Sequence, residues 1–247
     1  MKNLLVIFIF STLFLGCRKS DEKPTNTDIG STNVDLSADG DFVRKKEAVI
    51  ANFICDALKV YYIDKGETLD FVFINGGNIR YNAQIRPNGI YPKGILTAEM
   101  MDEMLPFQNT SYIVQLTGNQ LKEILERAVA QYPLPKGPFM HCSKEFSFQI
   151  DTLANPQILN VDQTAIEIAG NRIDSLKFNG NLISPNETFN VLFSDYIAEG
   201  NDGFLTLKYL NPNLKKYFGD NQSSALKDFV LLNSPIEPKL EGRIIFK

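Results

Sequence analysis

The first half of the chain carries apolar residues at the spacing of an α-helix. Between Asp41 and about Tyr62 they recur every three or four positions, which places them on one face of a helix. These residues are Ile50, Phe53, Ile54, Ala57, Leu58 and Tyr61. A shorter helix is predicted from Thr97 to Met104, with Thr97 as its N-terminal cap.

A strand followed by a capped helix is predicted next. The strand covers Ser111 to Leu116, and Thr117-Gly118-Asn119-Gln120 then has the sequence of a capping box. In that motif a hydroxyl and an amide side chain bond the free N–H groups at a helix start, so a helix should run from here through Ala130. Its inward-facing residues are Leu121, Ile124, Leu125, Ala128 and Val129.

The remaining pattern indicates mainly strands. Leu69 to Ile74 is a short apolar run between turn residues, which predicts a buried strand. After Gly137 the period changes to two, and Asn179-Gly180 separates two strand-like runs as in a two-residue hairpin. The alternating apolar residues are Phe146, Phe148 and Ile150. Further predicted elements are strands at Phe189 to Tyr196 and Arg243 to Phe246, and a helix at Ser223 to Leu232. The mixture predicts one mixed-sheet domain of the α/β or α+β class, and periodicity alone does not choose between them.

Length and composition are those of an ordinary globular protein. The chain has 247 residues, of which 44% are hydrophobic and 22% charged. Its net charge of −4 gives no general attraction to nucleic acid or anionic lipid, so no nucleic-acid partner is expected.

The N-terminus resembles the signal peptide of a bacterial lipoprotein. Lys2 precedes an apolar run from Leu4 to Leu15 that is too short to span a membrane. Leu15-Gly16-Cys17 resembles a lipobox, although Phe14 stands where Leu is usual. We therefore expect residues 1–16 to be removed and Cys17 to carry a lipid that anchors an exported protein at the periplasmic face or the cell surface. A plain secretory signal with an incidental cysteine is the alternative.

The polar segment that follows is predicted to be a tether. Residues 17–38 contain Pro24 and many small polar residues, which bury too little apolar area to fold, so the domain is expected to occupy 39–247. Cys55 and Cys142 could pair after export, since their spacing does not decide the geometry. The apolar neighbours of Cys55 favour a buried free thiol.

A glycine turn follows the predicted strand at Leu69 to Ile74. The segment Asn75-Gly76-Gly77-Asn78-Ile79-Arg80 allows a sharp turn and places Asn75 and Arg80 at a strand's carboxyl end, where ligands commonly bind in α/β sheets. A structural turn with a surface arginine is the simpler interpretation.

Several further motifs occur in order along the chain. They are Arg44-Lys45-Lys46-Glu47 with Asp56-Ala57, Leu105-Pro106-Phe107, Leu116-Thr117-Gly118, Tyr196 with Gly200-Asn201-Asp202-Gly203-Phe204, and Glu241-Gly242-Arg243-Ile244. Together with the glycine turn they resemble the C-terminal, substrate-binding domain of 5'-nucleotidases, from about Asp41 to the C-terminus. Each motif is weak alone, but the ordered set is specific.

The resemblance implies a nucleoside pocket. Phe107 and Tyr196 fall at the positions of two rings that sandwich the base, and Asp202 at that of an acid that accepts hydrogen bonds from ribose. The polar pocket residues of the family fall on Arg44, Asn75 and Arg80. The alternative for both rings is a place in the core.

Three positions depart from the family pattern. Asn201 replaces a glycine and is expected to keep the turn because Asn tolerates positive φ. Ala51 replaces another glycine, with an effect on helix packing only, and Tyr196 replaces the commoner Phe while keeping a stacking face.

Catalysis is the part that the sequence does not supply. Complete 5'-nucleotidases hold two metals through Asp, Asn and several His residues of an N-terminal metallophosphatase domain, whereas this sequence has one histidine, His141, which is expected to be packed. We therefore expect no catalytic residue, metal site or cofactor in this chain.

The favoured function is the nucleoside- or nucleotide-binding domain of a split 5'-nucleotidase in nucleotide catabolism, with divalent metals on a separate metallophosphatase chain. The alternatives are a non-catalytic nucleotide-binding lipoprotein and a scaffold for protein contacts.

Overall fold

The computed structural model describes residues 28 to 247 of the chain. The helices α1 to α7 are Gly40–Val43, Val49–Asp64, Ala98–Met104, Gly118–Ala128, Asp195–Ala198, Leu205–Lys208 and Gln222–Asn233. The strands β1 to β15 are Asp28–Thr32, Leu36–Ser37, Phe71–Asn75, Ile90–Tyr91, Gly94–Thr97, Ser111–Thr117, Met140–Cys142, Phe146–Ile150, Ile158–Leu159, Ile166–Ile168, Ile173–Phe178, Asn181–Leu182, Thr188–Ser194, Lys215–Phe218 and Ile244–Phe246. Short 3-10 turns lie at Asn201–Gly203 and Pro212–Leu214.

A five-stranded mixed sheet forms the centre of the fold, in the order β14-β6-β13-β3-β7. Within it β13 and β3 are parallel, whereas β6 runs antiparallel to β13 and β7 antiparallel to β3. A second sheet, β12-β11-β8-β15, is also mixed because β15 runs parallel to β8. The predicted mixed α/β class is confirmed.

Strand β3 of the central sheet is buried on both faces. All five residues of β3 are buried, with Val72 and Ile74 in one hydrophobic core and Phe71 and Phe73 in the other. The first core packs α2, α3 and α7 against the sheet, and the second contains α4 and residues of the second sheet. Burial on both sides explains why β3 is a continuous apolar run rather than an alternating one.

The predicted helix caps are confirmed. The hydroxyl of Thr97 accepts a hydrogen bond from the N–H of Met100, and Thr117 and Gln120 form the reciprocal pair of a capping box. The hairpin at Asn179-Gly180 is also confirmed, with φ values of 49° and 80° at the two residues. Both angles are positive, as a type I′ turn requires.

The helix predicted from Asp41 to Tyr62 is divided into α1 and α2. The N–H groups of Lys45 and Lys46 still bond the carbonyl of Phe42, but tertiary contacts hold the rest of the segment before α2. The carboxylate of Glu47 accepts the backbone N–H groups of Glu241 and Arg243, and the carbonyl of Val43 bonds the ring of His141. Because these partners lie far away in sequence, helical periodicity could not reveal the break. Ala51 is fully buried in α2, where it packs in the first core.

The predicted boundary of the domain is wrong for residues 28–38. These residues form β1 and β2, and β1 pairs with β5. Ile29, Leu36 and Ala38 are buried in the first core. The segment therefore packs through a few apolar residues, although its composition is mostly polar.

The signal peptide, Cys17 and the rest of the predicted tether lie outside the described residues. Between residues 28 and 247, no helix has the length and hydrophobicity needed to cross a membrane.

Both cysteines of the described region are buried and unpaired. Burial raises the pKa of the Cys55 thiol and also that of Cys142. The buried free thiol predicted for Cys55 is therefore confirmed. Cys55 and Cys142 do not form a disulfide with each other.

Candidate functional site

One edge of the central sheet collects the segments that carry the predicted site. Strands β3 and β13 are parallel, so both end at this edge. Strand β6 begins there, because Ser111 pairs with Ser194 at the end of β13, and β7 begins there, because Met140 pairs with Asn75. The residues just after β3 and β13 and just before β6 and β7 therefore meet, as expected for ligand sites at strand ends.

A cavity of about 560 Å³ lies at this edge. Its lining contains all six residues predicted for the site, namely Arg44, Asn75, Arg80, Phe107, Tyr196 and Asp202. Gly77, Asn78, Asn109 and Gly137 also line it and were missed by the sequence analysis as site residues. The sequence placed Asn78 inside the glycine turn and Asn109 two residues after Phe107, but neither position alone indicated where the side chain points.

The glycine pair after β3 is required by close packing. A Cβ on Gly76 would collide with the carbonyl oxygen of Val43, and one on Gly77 would lie 2.9 Å from the Cα of Gly137. The N–H of Gly77 donates to the carbonyl of Gly137 at 2.9 Å. The turn thus brings the segments of Arg44 and Gly137 against the end of β3.

Buried amides form the floor of the cavity. The Nδ2 of Asn75 donates to the carbonyl of Gly137 at 3.1 Å. Asn78, 2% exposed, donates to Gln222 and accepts from the Nδ2 of Asn109, each at 3.1 Å. Gln222 in turn donates to the hydroxyl of Ser111. This network fixes the orientation of Asn109, since the amide partners determine which of its ends donates.

Two aromatic rings form exposed walls. Phe107 is 54% exposed and Tyr196 is 42% exposed, which excludes the alternative that they are core residues. The guanidinium carbon of Arg80 lies 4.9 Å from the ring centroid of Phe107, a cation–π contact that helps to hold the ring. Gln108, the next residue, has a φ of 52°, a conformation that side chains other than glycine rarely adopt.

Tyr196 lies in α5, not at the end of a strand as predicted. Strand β13 stops at Ser194 because the Ser194 hydroxyl accepts the N–H of Ile197 and caps the helix. The hydroxyl of Tyr196 donates to Oδ1 of Asp202 at 2.9 Å. Partial burial and this hydrogen bond raise the pKa of Tyr196.

The loop after α5 positions Asp202. Asp202 itself adopts a positive φ of 56°, between Gly200 at 86° and Gly203 at 82°. The expectation that Asn201 would take the left-handed conformation is wrong, because the positive φ falls on Asp202 and Asn201 instead donates its amide to the carbonyl of Tyr196 at 2.8 Å. The turn is therefore kept although Asn201 replaces a glycine, and the side chain of Asn201 helps to hold it.

The cavity combines two guanidinium groups with one carboxylate. Arg44 and Arg80 are both partly buried, and burial together with the charge of Arg44 lowers the pKa of Arg80. Among residues 28 to 247, the Nε of Arg44 is buried without a hydrogen-bond partner. Two cations whose charges act on each other in one cavity favour an anionic or oxygen-rich ligand.

His141 lies behind the cavity wall. Its ring is fully buried, and its Nε2 lies 2.7 Å from the carbonyl oxygen of Val43. A carbonyl only accepts, so Nε2 carries the proton and donates. Burial lowers the pKa of His141 to about 4. The prediction of a packed histidine is confirmed.

In the part of the chain that the structure describes, no group of three or more His, Cys, Asp or Glu side chains could hold a metal ion.

Comparison with known proteins gives one consistent match. A family model described as "5'-nucleotidase, C-terminal domain" matches residues 28–209. Human 5'-nucleotidase is 26% identical over 225 residues, which cover 89% of this chain and 37% of that protein. A "trifunctional nucleotide phosphoesterase protein" of Bacillus subtilis is 26% identical over 90% of this chain and 14% of its own length. The crystal structure of a 5'-nucleotidase precursor from Thermus thermophilus superposes with a TM-score of 0.75 and 26% identity, over 89% of this chain and 39% of that one. The chain thus spans less than two fifths of the length of each of these relatives.

Proposed function

Since this chain belongs to the family of 5'-nucleotidase C-terminal domains, we propose that its cavity binds a nucleoside or nucleotide for nucleotide breakdown. One observation carries the proposal: two exposed rings, one carboxylate and two guanidinium groups line the same cavity. Its volume of about 560 Å³ is within the range of small-molecule sites.

In this proposal the base lies between Phe107 and Tyr196. Both rings leave apolar faces open to water, and a flat base can cover them. Stacking on such faces contributes about 1–3 kcal/mol per base and tolerates different bases, because every base has a π-face. Asn109 offers a hydrogen bond to the edge of the base from the floor of the cavity.

The polar groups suit the sugar and phosphate. Asp202 offers only acceptors, which match sugar hydroxyls, whereas Arg44 and Arg80 offer planar sets of donors that match phosphate oxygens. The Nε of Arg44 is one of the buried side-chain atoms that have no hydrogen-bond partner among the described residues.

Hydrolysis is proposed to depend on a second polypeptide. Phosphomonoester hydrolysis of this type uses divalent metals to activate water and stabilise the leaving oxygen. The single histidine of the sequence, His141, is buried and bonded to Val43, so its ring is not available as a metal ligand. We propose that a separate metallophosphatase chain holds the metals and that no catalytic residue or cofactor belongs to this chain.

A second candidate function is a stand-alone nucleoside- or nucleotide-binding lipoprotein. It is favoured by the groups that the cavity already contains, which are two exposed rings, one carboxylate and two guanidinium groups. Copurification with exported metallophosphatases separates the two candidates. A complex that hydrolyses AMP supports the split enzyme, and binding of AMP without any such complex supports the stand-alone protein.

Export and lipid attachment through Cys17 complete the proposal. They are supported by the apolar run from Leu4 to Leu15 and by the Leu15-Gly16-Cys17 motif. Incorporation of labelled fatty acid in a bacterial host tests this directly. The label should appear on the wild-type chain and be absent from Cys17→Ala.

Binding itself is tested by calorimetry with adenosine and AMP on the purified full chain. Phe107→Ala should weaken adenosine binding by about 5- to 150-fold, the range that stacking energies imply. Tyr209→Phe changes an exposed aromatic residue outside the cavity lining and should leave the affinity unchanged. Equal affinities of wild type and Phe107→Ala would refute the sandwich.

A further inference from the structure

Asp202 presents its carboxylate from a backbone conformation that needs support. Its φ is 56°, and two glycines of the same loop, Gly200 and Gly203, have φ values of 86° and 82°. The left-handed region is unfavourable for residues other than glycine, although aspartate adopts it more readily than most. A contact that holds the backbone of Asp202 therefore also determines where its carboxylate points.

Arg127 makes such a contact from the last turn of α4. Its Nε donates to the backbone carbonyl of Asp202 at 2.8 Å. A Cβ on Gly203 would lie only 2.8 Å from the same Nε, so the guanidinium group also packs against the next residue of the loop. A hydrogen bond from a charged donor is stronger than one between neutral groups. The loop is therefore fastened to α4 at Asp202 itself.

The helix that carries Arg127 is firmly held. Thr117 and Gln120 close its first turn with a capping box, and Leu121 and Ile124 are buried in the second core. A helix fixed at its start and along its inward face cannot follow the loop if the loop moves. Arg127 thus reaches Asp202 from a rigid base.

Arg127 lies outside the lining of the cavity, so we expect it to act on a ligand through Asp202. Burial lowers the pKa of Arg127, and the negative charge of Asp202 opposes that shift. At the other end of Asp202, Oδ1 accepts the hydroxyl of Tyr196 at 2.9 Å. Protein donors therefore hold both parts of this residue, Arg127 the backbone and Tyr196 the side chain.

We propose that Arg127 is a positioning residue that keeps the Asp202 carboxylate directed at the sugar of a bound nucleoside. The inference rests on the proposed function and adds a residue that lies outside the sequence motifs. Without the guanidinium group the loop can leave the left-handed conformation, and the carboxylate then moves away from the sugar in part of the population. Affinity falls by the fraction of molecules that are no longer competent to bind.

The test is calorimetry with adenosine on the full chain and on Arg127→Gln. Adenosine should bind about 3- to 10-fold more weakly to the variant, the range of one hydrogen bond. Arg127→Lys should recover part of this loss, because its ammonium group can donate to the same carbonyl. Lys122→Gln removes a positive charge from the same helix, outside the cavity lining, and should leave the affinity unchanged.

A double-mutant cycle with Asp202→Gly shows whether the effect passes through Asp202. Glycine adopts the left-handed φ without strain but has no carboxylate, and the two stacking rings remain. Adding Arg127→Gln to Asp202→Gly should therefore change the affinity for adenosine by less than about 2-fold. A purely structural role of Arg127 would weaken binding in both backgrounds.

The outcomes separate this inference from the proposed function. If adenosine does not bind the wild-type chain, the proposed function fails. If it binds and Phe107→Ala weakens binding, but Arg127→Gln does not, only the inference fails. Equal losses from Arg127→Gln with and without Asp202→Gly would also overturn it. If urea unfolding shows that Arg127→Gln does not fold, Arg127→Met, which keeps the apolar stem of the side chain, takes its place with the same expected losses.

Discussion

At the scale of single residues, the sequence predicted the polar and aromatic members of the site through their place in ordered motifs. Phe107 follows α3, Tyr196 lies in α5 and Asp202 lies in the short 3-10 turn after it. Only the recurrence of a family pattern could bring them together in advance. Asn78 and Asn109 could not be assigned in the same way. Their roles depend on hydrogen bonds to each other and to Gln222, which joins the site from α7 more than 100 residues later.

His141 provides a prediction about pH. Burial lowers its folded-state pKa to about 4, whereas the unfolded chain binds the proton near pH 6.5. Between these values the unfolded state carries the extra proton, so the stability contributed by neutral His141 is present above pH 6.5 and is lost as the pH falls. At pH 5 the loss relative to pH 7 should be roughly 2 kcal/mol.

The measurement is urea unfolding of wild type and His141→Gln at pH 7 and pH 5. Glutamine can keep a donor near the Val43 carbonyl but does not titrate. The unfolding free energy of His141→Gln should therefore fall less between the two pH values than that of wild type. The carboxylates titrate in both proteins and cancel in the comparison. Equal losses in the two proteins would contradict the assignment of a buried, neutral imidazole.

At the scale of elements, apolar periodicity predicted the helices and strands that pack on one or two faces, such as α4 and β3. It failed where side-chain contacts, either local or from distant parts of the chain, determine where an element ends. The break between α1 and α2 depends on Glu47 and His141, and the end of β13 depends on the capping hydroxyl of Ser194. These contacts place Arg44 and Tyr196 at the cavity, so the errors in the element boundaries fall at the site.

The glycine turn gives the prediction at this scale. Gly76→Ala places a methyl group against the backbone carbonyl of Val43, which can move only with its whole segment. We expect a loss of about 1–3 kcal/mol in unfolding free energy, together with weaker nucleoside binding because Arg44 follows Val43.

Gly40→Ala is the matched control for this substitution. The nearest atoms to a Cβ at Gly40 belong to the flexible side chain of Arg44 at 3.8 Å, so the methyl group has room. Thermal and urea unfolding of both variants should show a loss only for Gly76→Ala. Equal stability of the two would show that the turn tolerates a side chain and that close packing does not require glycine there.

At the scale of the whole molecule, the mixed-sheet class was predictable from the mixture of elements, but the domain boundary was not. Residues 28–38 have the composition of a linker, yet β1 completes a small sheet with β5, and Leu36 is fully buried. Composition averages over a segment, whereas packing depends on a few apolar residues at the right positions. The family match begins at residue 28, in agreement with the structure.

Two truncations test this boundary. A chain starting at residue 28 should fold cooperatively. A chain starting at residue 39 lacks Ile29, Leu36 and Ala38, which are part of the first core. Its unfolding free energy should therefore be lower by at least about 3 kcal/mol, or it should fail to fold. Circular dichroism with urea unfolding measures both. Equal stability of the two truncated chains would restore the tether interpretation for residues 28–38.

The central claim is that Phe107 and Tyr196 hold a nucleobase between them. A crystal structure of the chain with adenosine tests it most directly. The base is predicted to lie between the two rings, at about 3.5–4.0 Å from each, with the ribose next to Asp202. Adenosine bound elsewhere, or in contact with neither ring, would contradict the claim.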